Sequence, residues 1–235
     1  MNRIVIITLL FLNSYIASAQ LFSKERVLNN QNVDKDWISF GFILGFNSYD
    51  FDFDYKANAS NTDIIVDKSA GFNVGLLSNL RINDYLDLRL EPMVTFSQRN
   101  LTYTNPDFNN SREGFREIKS TYVHIPLLLK VSTKRLNNFK PFIIGGVSTS
   151  LNLSSNENNP DDNSAGQFRT TNTTNYYELG FGIDFYLPYF KFTPSIRGIF
   201  AMSDELIRDN DLDSPYTSQI DKLSTRGIFL NFVFQ

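Results

Sequence analysis

The chain contains no cysteine, so it has no disulfide framework and no thiolate chemistry. It has a single histidine, His124, and no His/Cys/Glu cluster at ligand spacing, so nothing in it reads as a metal centre or calls for a cofactor. No G-x-S-x-G elbow marks a nucleophile. Past the N-terminal segment there is no apolar run of about 18 residues, which excludes an α-helical membrane span. The net charge is −3, and no basic run interleaved with aromatics occurs, so nucleic acid is not an expected partner. Tryptophan is single, whereas phenylalanine (22) and tyrosine (11) are plentiful.

Those aromatics fall in a rhythm. Ile38, Phe40, Phe42, Leu44 and Phe46 share one face of an extended stretch, while Trp37, Ser39, Gly41, Gly45 and Asn47 share the other. The pattern persists to the end, where Ile228, Leu230, Phe232 and Phe234 alternate with Gly227, Phe229, Asn231 and Val233. Strand-like stretches are expected near 36–48, 69–81, 85–98, 118–132, 140–152, 175–187, 190–202 and 224–235. Their outward rows include Phe72, Val74 and Leu76; Leu88, Leu90, Val94 and Phe96; Ile125, Leu127 and Leu129; Leu179, Phe181 and Ile183; and Phe192, Ile196 and Phe200. The stretch Pro141–Val147 is apolar or glycine on both faces and stays unassigned.

Connections alternate in length. Arg81–Tyr85, Ser132–Phe139 and Leu187–Phe190 are short, while about 49–68, 99–117, 153–174 and 203–223 are long and polar. A soluble sandwich needs no such asymmetry; an outer-membrane barrel does. The expected fold is all-β: an eight-stranded, antiparallel, up-and-down transmembrane β-barrel.

The N-terminus is consistent with export. Arg3 supplies a short positive region, Ile4–Leu12 an apolar one, and Ala17-Ser18-Ala19 a small-residue cleavage site. The expected organisation is a signal peptide over 1–19, a periplasmic leader over 20–35 as a tail or short helix, and the barrel over 36–235. The expected location is the cell outer membrane, with a periplasmic N-terminus and outer-membrane lipid around the wall. The terminal stretch Arg226–Gln235 also suits an insertion signal read by the barrel-assembly machinery.

Asp87, Arg89, Glu91, His124, Lys130, Glu178, Asp184, Arg197 and Arg226 are expected inside the barrel, along with Tyr122 and Lys191. A barrel this narrow is filled by side chains, and charges buried there must be paired. The expected role is structural, a salt-bridged plug, with no catalytic residue. Asp50, Asp52 and Asp54 alternate with Phe51, Phe53 and Tyr55. They lack the glycine and terminal glutamate of an EF-hand and read as the first strand continuing above the membrane. The acidic last loop, Asp204–Asp221, is expected to be solvated surface.

Two longer motifs resemble known proteins. Tyr122-Val-His-Ile-Pro-Leu-Leu-Leu-Lys130, followed by Lys140-Pro-Phe-Ile-Ile-Gly-Gly146, resembles the small outer-membrane barrels common in Bacteroidota. Phe22-Ser-Lys-Glu-Arg-Val-Leu-Asn29, then Asp34-Lys-Asp36 and Phe40–Phe51, looks like the PorT (also SprT) proteins of type IX secretion and gliding motility. That resemblance implies an accessory or assembly factor, not an enzyme, working with other secretion-system proteins. The competing expectation is a structural or adhesion barrel that binds ligands through its loops.

Overall fold

The computed structural model describes residues 27–57, 63–104, 114–159, 163 and 168–235. The expected signal peptide and the first part of the leader lie outside the described residues. Alternating side chains produce ten strands: β1 (Ile38–Tyr55), β2 (Ile64–Lys68), β3 (Ala70–Arg81), β4 (Leu86–Leu90), β5 (Met93–Tyr103), β6 (Phe115–Ser132), β7 (Phe139–Asn152), β8 (Thr173–Tyr186), β9 (Lys191–Ala201) and β10 (Ile220–Phe234). Two pairs are single staves with a break. Ser69 separates β2 from β3, and Glu91-Pro92 separates β4 from β5. Pro92 has no N–H for a ladder, although its carbonyl still accepts from Leu76 N at 2.9 Å.

Antiparallel pairing runs β1-β10-β9-β8-β7-β6, passes through β4/β5 to β3/β2, and returns to β1. The ring therefore has eight staves, as the sequence predicts. Closure rests on two ladders, Phe42↔Phe234 through Asp54↔Lys222 and Ile38↔Leu80 through Ser48↔Ala70. A closed ring leaves no backbone edge in lipid, where an unpaired N–H or C=O is costly.

The outward rows are apolar, and several are tied by stacked rings across strands: Phe42 on Phe234 (5.0 Å), Phe72 on Phe96 (4.6 Å) and Tyr177 on Phe200 (5.0 Å). The unassigned stretch is settled by pairing: Phe142 and Ile144 point inward, Ile143 and Val147 outward. Trp37 lies just before β1 and is exposed, not part of the inner face. β1 does continue past the membrane belt to Tyr55, and β2, β5, β6 and β10 rise with it. The expected long loops are thus partly strand. Barrels of this type keep short turns in the periplasm and long loops outside, which orients the chain.

The interior is layered. Charged side chains fill the periplasmic half. Ile43, Tyr49, Leu77, Met93, Tyr122, Tyr176, Ile199, Phe229 and Val233 form a middle cluster. A second apolar cluster, including Phe51, Ile64, Leu101, Tyr103, Leu206 and Tyr216, closes the outer end.

Candidate functional site

The alternation that sends Leu88 and Leu90 outward sends Asp87, Arg89 and Glu91 inward, and all three are buried. Arg89 lies 3.6 Å from Glu91 and 3.9 Å from Asp184. Asp184 holds Lys130 at 2.5 Å and accepts from Thr193 Oγ1 at 2.7 Å. Arg197 reaches Glu91 at 2.9 Å with Nη1 and Glu178 at 3.2 Å with Nε. The staves thus meet through one chain of ion pairs, and every member is almost fully buried. Asp87 sits at the end of it, 3.5 Å from Asn79 Nδ2.

His124 is fully buried in this network. Its Nε2 lies 2.8 Å from Glu178 Oε1 and its Nδ1 2.5 Å from Ser150 Oγ. Serine, histidine and a carboxylate are thus in line, the composition of a hydrolase triad. Ser150 is as buried as His124, and Phe229 and Tyr176 pack edge-on to the imidazole at 5.6 and 6.0 Å. Ser150 could not have been singled out from sequence, because it is one small residue on a different strand.

Arg226 is a correction. It is not in the lumen; its side chain is 48% exposed on the outer face, bonded to Asp50 at 3.1 Å and Asp52 at 3.2 Å. It shares parity with Ile228 and Leu230, so strand geometry sends it outward. An outward charge is tolerated because β10 has by then left the apolar belt.

Sequence reasoning also missed Arg99. Its guanidinium lies 3.8 Å from the Phe51 ring and donates to Tyr122 Oη at 2.5 Å. An asparagine ladder was missed as well: Asn47 donates to Asn73 at 2.7 Å, and Asn73 to Asn231 at 3.1 Å. Inward parity was the available signal for both.

Both ends of the lumen are covered. At the periplasmic end the leader forms turns, with no helix among its described residues. Asn29 N donates to Asn138 Oδ1 at 2.9 Å, and Tyr186 Oη to Asp34 at 3.0 Å. Arg135 stacks over Tyr186 at 3.8 Å, bonds Asn137 O at 2.7 Å and donates to Asn29 O. Arg135→Ala is expected to loosen the leader by about 1–2 kcal/mol, the scale of its lost hydrogen bonds. Hydrogen exchange at Asn29 should accelerate while strand amides stay protected; unchanged exchange would show that Arg135 does not hold the leader.

At the outer end the acidic loop is only partly solvated: Asp211, Asp213 and Asp221 are exposed, while another part folds inward. Glu205 and Asp209 are buried. Asp209 accepts from Arg169 Nη2 and from Asn163 N, both at 3.0 Å, and from Ser214 Oγ at 2.5 Å. Glu205 takes two bonds from Thr225 at 2.8 Å, yet burial pushes its carboxyl above the usual range. Burial also works against the Asp204 carboxylate. The N–H groups of Leu223 and Leu206 together with Arg208 outweigh that effect and hold its pKa low. Among the described residues no cluster of His, Cys, Asp and Glu is arranged to hold a metal.

A closed ring with an apolar outer face and a lumen filled by side chains defines an integral membrane β-barrel. The chain matches the family model of the outer membrane protein beta-barrel domain over residues 19–206 and belongs to that family. It is an integral outer-membrane barrel surrounded by lipid. Among solved structures it resembles the outer membrane protein OprG of Pseudomonas aeruginosa, at 14% identity and a TM-score of 0.51, over 83% of this chain and 94% of that one. Neisserial surface protein A aligns at 11% identity and a TM-score of 0.42, over 84% and 98% of the two chains. Ail, the attachment invasion locus protein of Yersinia pestis, aligns at 12% identity and 0.38, over 83% and 96%. No curated protein sequence matches the chain.

Proposed function

We propose that this barrel is an accessory or assembly factor of type IX protein secretion that acts through protein contacts on its outer surfaces. The observation that carries the reading is the sealed lumen: a filled interior with both ends covered offers no conduit, so work must be done by the leader, the loops or the outer wall. The leader motif that resembles PorT proteins supports the choice of system. Two of its residues, Asn29 and Asp34, fasten the leader to the periplasmic turns. A fastened leader presents a defined surface to periplasmic partners instead of a free tail.

The reading includes no catalysis. The Ser150–His124–Glu178 line is read as a pin between staves, because a nucleophile must reach its substrate and Ser150 is buried. In a strain lacking the gene, cargo bearing the type IX signal is expected to accumulate in the periplasm. The intact gene should restore export, and His124→Ala should restore it equally once matched for barrel abundance. Normal export in the deletion strain would sink the secretion role. It would favour the alternative, a structural or adhesion barrel, for which the hydrogen-bonded last loop supplies a recognition surface. Failure of abundant, folded His124→Ala barrel to restore export would reopen the catalytic reading.

A further inference from the structure

The outer wall carries a recess in two parts along β1. At the height where outward residues change from apolar to charged, Ser48 faces Ala70 on β3 and Ile228 on β10, and Ile228 faces Gly198 on β9. Three of these four are small. Ser48, Gly227 and Ile228 line a hollow of about 340 Å³, bounded by Phe200 at the side and by Asp50, Lys68 and Arg226 above. The next outward residues down β1, Phe46 and Leu44, open onto an apolar slot of about 420 Å³, whose walls include Phe72, Val74, Phe232 and Phe234.

The cations are held in place. Asp50 Oδ2 lies 3.1 Å from both Lys68 Nζ and Arg226 Nε, and Asp52 lies 3.2 Å from Arg226 Nη1. Both cationic side chains remain about half exposed, at 47% and 48%. Among the described residues no partner takes Arg226 Nη2. Exposed ion pairs contribute little to stability. What this arrangement does is aim two cations outward at the boundary of the bilayer, with their flexible stems restrained. Guanidinium and ammonium together suit a phosphate. The two carboxylates make the cluster neutral overall, so a free anion gains little there. A phosphate that brings its own acyl chain gains the slot as well.

The charged hollow lies on the side of the long loops, hence at the outer leaflet, which in bacterial outer membranes is built largely of phosphorylated glycolipid, and the slot runs from it toward the membrane interior. We propose that the recess binds one such glycolipid, its phosphate against Lys68 and Arg226 and one acyl chain between Phe46, Phe72 and Val74.

The test uses the folded barrel in detergent micelles, titrated with lipid A and followed by native mass spectrometry. Wild type is expected to retain lipid A at least ten times more tightly than dephosphorylated lipid A. The double variant Lys68→Gln/Arg226→Gln should lose that preference. Val74→Trp, which fills the slot without touching charge, should weaken lipid A at least ten-fold. Arg226→Lys should keep part of the binding that Arg226→Gln loses. All these side chains point outward, so each variant is expected to keep its heat-shifted mobility on gels. Equal retention of the phosphorylated and dephosphorylated forms would overturn the proposal. So would a double variant that binds like wild type, or a Val74→Trp barrel with unchanged affinity. Phosphatidylethanolamine binding as tightly as lipid A would overturn the assignment to the outer-leaflet glycolipid.

Discussion

Arg197→Ala is expected to cost the folded barrel about 3–5 kcal/mol, the scale for removing one partner of a buried ion pair. Among the described residues Arg197 is the only cation that bridges Glu91 on one side and Glu178 on the other, at 2.9 and 3.2 Å. Alanine would leave two buried carboxylates without the cation that pairs with both. Arg89 lies 3.6 Å from Glu91 and could compensate only that half. Glu178 would keep His124 and little else. The readout is the midpoint of the heat-induced gel shift, or of urea unfolding in micelles, against wild type. Arg226→Ala is the matched control: its ion pairs are half exposed, so the same measurement should move by no more than about 0.5 kcal/mol. An Arg197→Ala barrel with a wild-type midpoint would mean that water screens the network.

Gly146→Val is expected to be at least as damaging, about 3 kcal/mol or more, at the upper end of overpacking. Gly146 lies on β7 opposite Leu128 of β6. A Cβ built there would overlap the Leu127 carbonyl and press on Leu128 Cα, both backbone atoms of the neighbouring stave. Backbone in a closed ladder cannot move aside as a side chain can, so valine must break part of the β6–β7 pairing. The expected result is loss of the heat-shifted species and little barrel in the membrane. Gly198→Ala provides the contrast. The near neighbours of a Cβ there are two Phe200 ring atoms, at 3.1 and 3.2 Å, and the ring can rotate away. That variant should assemble normally, and a Gly146→Val barrel that assembles equally well would refute the argument.

The two variants mark where sequence reading ends. Arg197 could be placed in the lumen by parity alone, because faces alternate along a strand whatever its neighbours are. Its partners could not: Glu91 precedes it by more than a hundred residues, and Glu178 lies on a different strand. The same limit explains Ser150, which meets His124 only because β6 and β7 pair in the observed register, with His124 opposite Ser150. Arg226 was misplaced for another reason. Its charge points to the lumen, whereas parity puts the residue outside and the height of β10 makes that position tolerable. The acidic last loop was read from composition as solvated. Composition does not reveal that Arg169, Asn163, Ser214 and Thr217 surround Asp209.

By itself the sequence determined the closed eight-stave wall, its direction in the membrane and the lipid-facing rows. These follow from a period of two and from alternating connection lengths, both local properties of the chain. Only the tertiary structure decided which charges neutralise one another, how the leader and last loop cover the ends, and where the outer wall is hollow. Each of these depends on the register between staves and on ring closure, which bring distant residues to within a few ångströms.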